Sequence, residues 1–391
     1  MDVVYDIIIV GGGPVGSSVA GLVAGLMRTL VLEEHAEIGA PVQCAGLVSP
    51  RVVAMTGTDD TVLNRISGGV VHFPNGVSIE LNGREPKAVV VDRRAFDIRC
   101  YEKALDSGAE FILGAKYCSF SKDGDSVSIE SKVEKNTRIL HTKLLVGADG
   151  YKSCVGRDAG IGKPKDSVKG IQADIDQRLD DQDRVHVHLG LKLAPGFFAW
   201  VIPCGNFTRV GLCVSSGHDA PSTYLLPFLK KVGLADAERL NSISGVIPIG
   251  PPSSTYADRV MVVGDAAAQA KPLSGGGLYT GMVASRCAAG TAIEAHEAND
   301  FSTRMLSKYQ ERWKSEIGKE LDKGYRIRKI FVRLNDNKIN DIGRLIDRQD
   351  VLEILSQGDI DYPSMLAPSI LRCLPSLLKF SPQILGSFLG R

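Results

Sequence analysis

Gly11-Gly12-Gly13-Pro14-Val15-Gly16 follows an apolar run from Ile7 to Val10 and opens a stretch of small residues that extends to Met27. A continuous apolar run of this length reads as a parallel strand covered on both faces, and the small residues read as a helix that packs closely on it. Gly11, Gly13 and Gly16 fit G-x-G-x-x-G. The first glycine makes the tight turn, the second lets backbone approach a pyrophosphate, and the third lets helix pack on strand. Pro14 suits the first helical position, where no backbone N–H is needed. The helix start offers free N–H groups and a partial positive charge to phosphates. Thr29 to Leu32 is the second strand, and Glu33 at its end is placed to accept a hydrogen bond from a ribose hydroxyl. The unit is therefore a βαβ dinucleotide-binding element.

Outward from that unit, a chain of 391 residues exceeds one ordinary core and implies at least two domains. With 44% hydrophobic and 23% charged residues the composition is that of a globular protein. A formal charge of +1 gives no electrostatic case for nucleic acid. The eight cysteines contain no C-x-x-C pair and suit neither a zinc site nor a disulfide scaffold, so they are expected as reduced thiols of a cytoplasmic protein. The N-terminus does not read as a signal peptide, and no run is long and apolar enough to span a membrane.

Short alternating segments between 66 and 91, split by Pro74-Asn75-Gly76 and Asn82-Gly83, read as antiparallel hairpins. Strands recur over about 168–215, and a buried strand returns at Val260–Val263 before a helix from Gly277 to His296. The expected fold class is α/β: a discontinuous Rossmann-type domain from 1–65, 92–165 and 256–300, with an inserted antiparallel β-sheet substrate domain from 66–91 and 166–255. Residues 301–391 form a helical C-terminal region. Its last part, Pro363 to Arg391, is apolar and free of acids. That tail suits either a cap on the substrate domain or peripheral contact with a membrane.

Two further motifs follow apolar strands: Gly147-Ala148-Asp149-Gly150, and Gly264-Asp265-Ala266-Ala267 with Gly275-Gly276-Gly277 beyond it. A polar turn explains either one alone. Three motifs in this order point to FAD, with the glycines at a helix start able to stabilise negative charge on the flavin pyrimidine ring. In these motifs, together with Val91-Asp92-Arg93 and Phe96-Asp97, the sequence resembles the p-hydroxybenzoate hydroxylase-like flavoproteins over about residues 5–295. The resemblance implies FAD held by Gly11, Gly13, Pro14, Gly16, Glu33, Cys44, Ala45, Arg93, Asp149, Gly264, Asp265, Gly275, Gly276 and Gly277. No second G-x-G-x-x-G is present, so electrons are expected from an external donor: NAD(P)H, ferredoxin or another carrier.

Pro41-Val42-Gln43-Cys44, Gly196-Phe197-Phe198-Ala199-Trp200-Val201-Ile202-Pro203 and Pro272-Leu273-Ser274-Gly275-Gly276-Gly277 narrow the resemblance to the geranylgeranyl reductase family. It implies saturation of C=C bonds in an isoprenoid lipid substrate, with Cys44 as a catalytic residue over the flavin, guiding proton delivery or substrate placement, and Phe198 and Trp200 on a substrate-binding strand. Archaeal members often carry Gly-Glu-Gly after the cysteine; here Ala45-Gly46-Leu47 stands there, so no acidic role transfers. Read by periodicity, Phe198, Trp200 and Ile202 share one strand face, and Phe197, Ala199 and Val201 the other. Such a strand is either core or the wall of an apolar cavity, in which a prenyl chain would gain about 0.8 kcal/mol per buried CH₂. An unpaired cysteine taken alone reads as a small buried hydrophobe. The Phe198–Pro203 run is also one aromatic away from the signature of flavin halogenases, which rely on an early lysine; the first lysine here is Lys87. A non-catalytic lipid carrier is the remaining alternative. His186 and His188 share a strand face without an evident third ligand, so no metal is expected.

Overall fold

The computed structural model describes residues 4–83 and 85–381. Strand β1 (Val4–Val10), helix α1 (Pro14–Val23) and strand β2 (Thr29–Glu33) form the nucleus of an eight-stranded sheet. β1 runs parallel to β2 on one side and to the strand Asn136–Gly147 on the other. Glu110–Leu113 extends the sheet past β2, and Val260–Val262 extends it past Asn136–Gly147, both in parallel. The apolar run of β1 is explained by cover on both faces. Ile7 and Ile9 pack with α1 and the helix Leu278–Glu297, while Ile8 and Val10 pack with Val127 and Ile129 of an antiparallel meander. Helix α1 stops at Val23 rather than Met27, because residues 24–26 turn around Gly25, a weak helix former.

Asn136–Gly147 is one strand with two partners. Its first half pairs antiparallel with Ser126–Val133, and its second half runs parallel with β1. Its environment changes from one-sided to two-sided burial along its length.

The second sheet has seven strands, in the order Arg239–Ile249, Asp166–Ile175, Thr208–Ser215, Ala199–Pro203, Arg184–His188, Gly68–His72, Ser78–Asn82. All pairs are antiparallel except Arg184–His188 with Gly68–His72. The helix Pro221–Lys231 covers one face through Leu225 and Phe228. Ala88–Val91 belongs to neither sheet; it sits between Leu47–Val48 and Val62–Ile66 in a three-stranded sheet of its own.

The C-terminal helices divide between the two layers. Tyr309 and Trp313, on the helix Thr303–Trp313, are buried in the β1 core, whereas Ile330, Leu334 and Ile339 pack on Phe73 and Ile79 of the second sheet. A single π-helical turn, Lys314–Gly318, joins Thr303–Trp313 to the helix Lys319–Phe331. In the tail, Leu371 and Leu374 are buried and Phe380 packs against the Phe73 cluster, so its described part lies against the protein; Pro382 and Arg391 lie outside the described residues. No helix among the described residues is long and apolar enough to cross a membrane.

Candidate active site

The glycine turn is shaped by contacts that sequence spacing only implied. Gly11 has φ +105°, and a Cβ there would lie 2.3 Å from the Ala148 carbonyl oxygen. A Cβ on Gly16 would lie 2.0 Å from the carbonyl oxygen of Gly11, so only glycine lets α1 approach this turn. Gly13 is different: nothing stands within 4 Å of where its Cβ would be. Open space at the start of a helix that no side chain caps is what an incoming pyrophosphate requires.

Glu33 is buried at the end of β2, where Oε2 accepts the Gly12 N–H at 2.7 Å and Oε1 accepts the His35 N–H at 2.9 Å. His35 Nδ1 also stands 2.6 Å from Oε1. A carboxylate has about four lone-pair sites, so it can still accept from a sugar hydroxyl while held in this posture. His35 carried no recognisable sequence signal, since it lies beyond the strand end.

Asp149 serves the turn locally. Its carboxylate accepts Ser153 Oγ at 2.6 Å and the Val155 N–H at 3.1 Å, just before the short helix Cys154–Asp158. Burial raises its pKa, against the pull of those hydrogen bonds. The residue of this motif that touches the glycine turn is Ala148.

At the third motif, Gly264 has φ +70°, and its N–H donates to Gln269 Oε1 at 2.8 Å. Gln269 Nε2 donates to Tyr309 OH, which in turn donates to the Val262 carbonyl at 2.9 Å. The buried chain locks the turn that presents Asp265. Burial pushes the Asp265 carboxyl up to about 6, against the opposing charge of Arg93. The loop beyond is closed by Lys271 N–H to Gly276 O at 3.0 Å and Gly275 N–H to Lys271 O at 2.8 Å. It delivers Gly277 beside the Asp265 carboxylate, at the uncapped start of the helix Leu278–Glu297.

Arg93 draws these parts together. Its Nη2 donates to Asp97 Oδ1 at 2.7 Å with both residues buried, and its Nε is buried without a partner among the described residues. Burial opposes its charge, yet Asp97 and then Cys44 hold the guanidinium more firmly protonated than an ordinary arginine. Arg93 thus stands in electrostatic reach of both Cys44 and Asp265, which are 221 positions apart in the chain. A buried N–H donor without an acceptor is costly, and an anionic or carbonyl-bearing cofactor would satisfy it.

The Cys44 loop rests on the second sheet. Gln172 Nε2 donates to the Cys44 carbonyl at 3.3 Å, and Arg209 Nη1 donates to the Ala45 carbonyl at 2.8 Å. Arg209 is itself fixed by a two-pronged pair with Asp174, at 2.7 and 3.1 Å. The half-buried Cys44 thiol accepts the Gly46 N–H at 3.4 Å. Gln172, Asp174 and Arg209 were not singled out from sequence. Period-two alternation in Gln172-Ala173-Asp174 hints only that the two polar residues share a face.

The aromatic strand begins at Ala199, two residues later than the alternation from Phe197 suggested, and both of its faces have a role. Ala199 and Val201 join the core with Phe228, whereas Ile202 and Trp200 belong to a separate cluster that Ala45, Leu47 and Ile360 also pack against. Phe197 and Phe198 precede the strand with rings stacked at 4.4 Å, and Phe198 meets Trp200 edge-on at 6.1 Å. Phe197 and Phe198, with Leu189, with Pro272 and Leu273 of the loop before Gly275, and with Ile327, Arg328 and Phe331 of the helix Lys319–Phe331, line a mainly apolar cleft of about 200 Å³.

A second group missed by sequence ties the C-terminal segment to this loop. Lys271 Nζ donates to the Ile360 carbonyl at 2.7 Å and pairs with buried Asp361 at 3.1 Å. Arg51, just beyond the Cys44 loop, pairs with Asp359 at 2.6 Å. His186 and His188 acquire a neighbour in His72: His72 Nε2 stands 2.9 Å from His186 Nδ1, and the His72 and His188 rings stack at 4.1 Å.

The FAD binding domain family matches residues 4–223. Digeranylgeranylglycerophospholipid reductase 2 of Methanopyrus kandleri is 30% identical over 97% of this chain and 99% of its own length. The chain belongs to the geranylgeranyl reductase family of FAD-binding proteins. Among solved structures, a geranylgeranyl bacteriochlorophyll reductase-like protein of Thermoplasma acidophilum is similar in fold, with TM-score 0.88 and 24% identity over 97% of this chain and 99% of that one. The flavin-dependent brominase Bmp2 shares the fold at TM-score 0.73 and 17% identity, over 96% of this chain and 100% of that one. As a member of the geranylgeranyl reductase family the protein is an FAD-dependent oxidoreductase with a p-hydroxybenzoate hydroxylase-like fold. The open space at Gly13, the two uncapped helix starts and the unpartnered Nε of Arg93 fit that cofactor.

Proposed function

We propose that this protein saturates C=C bonds in the geranylgeranyl chains of membrane lipids. The observation that carries the reading is the mainly apolar cleft between Phe198 and the Pro272-Leu273 loop, beside a Trp200 face that shares a cluster with Ala45 of the Cys44 loop. FAD, when bound and reduced, supplies hydride chemistry at N5. An isolated alkene is a poor hydride acceptor, so the protein's contribution is to hold the chain close in a dry site. Phe198 and Leu273 exclude water from one side. Gln172 and Arg209 fix the carbonyls of Cys44 and Ala45, so the thiol is carried on a rigid support. Gly11, Gly13, Pro14 and Gly16 would take the pyrophosphate, Glu33 the ribose, and Asp265 with Gly275, Gly276 and Gly277 the flavin ring. Arg93 would bond the cofactor through its free Nε. Electrons come from an external donor: NAD(P)H, ferredoxin or another carrier. The protein works in the cytoplasm and meets its lipid at the membrane surface.

The test is anaerobic turnover. Chemically reduced holoprotein mixed with a geranylgeranyl lipid should be reoxidised without oxygen, and mass spectrometry should show one H₂ gained per saturated bond. Flavin that stays reduced until oxygen is admitted would overturn the reading in favour of a monooxygenase or halogenase of the same fold.

A further inference from the structure

Reduction of an alkene needs a proton as well as a hydride, and the residues named so far leave its source open. Trp200, Gly211 and Gln172 lie side by side on three adjacent strands, with Trp200 paired to Gly211 and Gly211 paired to Gln172. A Cβ on Gly211 would lie 2.5 Å from Trp200 Cζ2 and 2.8 Å from Gln172 Cβ. The missing side chain at 211 lets the indole lie across the sheet toward the glutamine.

This row is the floor beneath the Cys44 loop. Trp200 and Ala45 pack against the same buried cluster around Ile202 and Val90, and Gln172 donates its amide N–H to the Cys44 carbonyl. Two polar groups remain on the floor. Among the described residues the buried indole Nε1–H of Trp200 has no hydrogen-bond partner, and the Gln172 carboxamide makes one hydrogen bond, through its amide N–H, leaving its oxygen free to accept. The contrast with the other tryptophan is direct: Trp313 Nε1 donates to Thr255 Oγ1 at 3.0 Å. A hydrocarbon chain can satisfy neither group. A water held between them would accept from the indole and donate to the carboxamide, and it would keep a second proton to give away.

We propose that Trp200 and Gln172 hold a water that protonates the alkene, and that both are positioning residues for the proton. This rests on the reductase reading above. In the balanced step the double bond takes a hydride at one carbon from the two-electron-reduced flavin, which becomes oxidised. It takes a proton at the other carbon from the held water, which becomes hydroxide and is neutralised by a proton from solvent.

The test uses the FAD-loaded protein and Trp200→Phe, which keeps an aromatic ring and removes the donor. With only two tryptophans in the chain, ¹⁵N-labelled indole signals are assigned by comparison with the variant. The Trp200 indole proton of the wild type should show a cross-peak to a long-lived water. Trp200→Phe should retain FAD and the KM for lipid, lose on the order of 100-fold in kcat, and show an enlarged solvent deuterium isotope effect as protonation becomes limiting. No water cross-peak in the holoprotein overturns the proposal, and so does a variant with wild-type kcat and isotope effect. Loss of FAD, or a change confined to KM, also overturns it, because the indole then serves the cofactor or the chain. A wild type whose flavin no prenyl lipid reoxidises removes the reductase reading with it; wild-type turnover beside an indifferent Trp200→Phe removes the proton role alone.

Discussion

Gly13→Ala and Gly16→Ala separate two requirements that the glycine motif merges. In Gly16→Ala the new methyl would sit 2.0 Å from the Gly11 carbonyl oxygen. That oxygen belongs to backbone held by Gly11 N–H to Leu32 O at 2.8 Å, so it cannot swing aside and α1 must move off β1. Overpacking of this kind costs about 1–3 kcal/mol, and a clash with backbone belongs near the upper end. In Gly13→Ala the backbone has φ −65° and ψ 177°, open to any residue, and the methyl meets nothing within 4 Å. Folding stability should stay within about 0.5 kcal/mol of wild type. That methyl would occupy the approach of the pyrophosphate, so FAD affinity should fall at least about tenfold, or ~1.4 kcal/mol. Urea unfolding of the flavin-free proteins reads the first quantity, and FAD titration by quenching of flavin fluorescence reads the second. The reasoning fails if Gly16→Ala unfolds at the wild-type midpoint, or if Gly13→Ala binds FAD as tightly as wild type.

Three further outcomes are expected. Burial lifts Asp265 from 3.8 to about 6, so the flavin-free folded state binds more protons than the unfolded chain between those values and loses stability as pH rises through that window. The span corresponds to about 3 kcal/mol, so Asp265→Asn should gain on wild type between pH 4 and 6 in denaturant titrations; an advantage equal at both ends would contradict this. His188 behaves oppositely: burial, then its neighbours His72 and His186, depress it from 6.5 to about 3, so its contribution is full above pH 6.5 and is lost as pH falls toward 3. His188→Leu should flatten the acid limb of the stability profile, and an unchanged slope would assign acid lability elsewhere. Removal of residues 382–391 should weaken binding to anionic liposomes while the fold, followed by circular dichroism, is retained; equal sedimentation with vesicles would exclude the tail from membrane contact. The cut belongs there and not at 364, because buried Ser364 bonds Glu320 through both its N–H and its hydroxyl.

By itself the sequence determined the βαβ unit, its glycine turn, the acid at the end of β2 and FAD as the cofactor. Those features are local: an apolar run buried on both faces and glycines at fixed spacing write their geometry into consecutive residues. Tertiary structure decided what depends on residues far apart meeting. Arg93 looked like one motif among several, but the fold brings it within electrostatic reach of Cys44 and Asp265, with an Nε unused among the described residues. Asp149 matched a cofactor motif, and the fold commits its carboxylate to Ser153 and Val155. The Trp200 strand could have been core or cavity wall, and packing divided it, one face in the core with Phe228 and the other in the cluster that Ala45 and Leu47 also join. Gln172, Arg209 and Lys271 carried no signal because a polar residue on a strand or loop looks the same whether it meets water or a carbonyl from another layer. Spacing along a chain fixes backbone turns, whereas only the closing of two sheets on each other determines which polar atoms lose their water and must find partners.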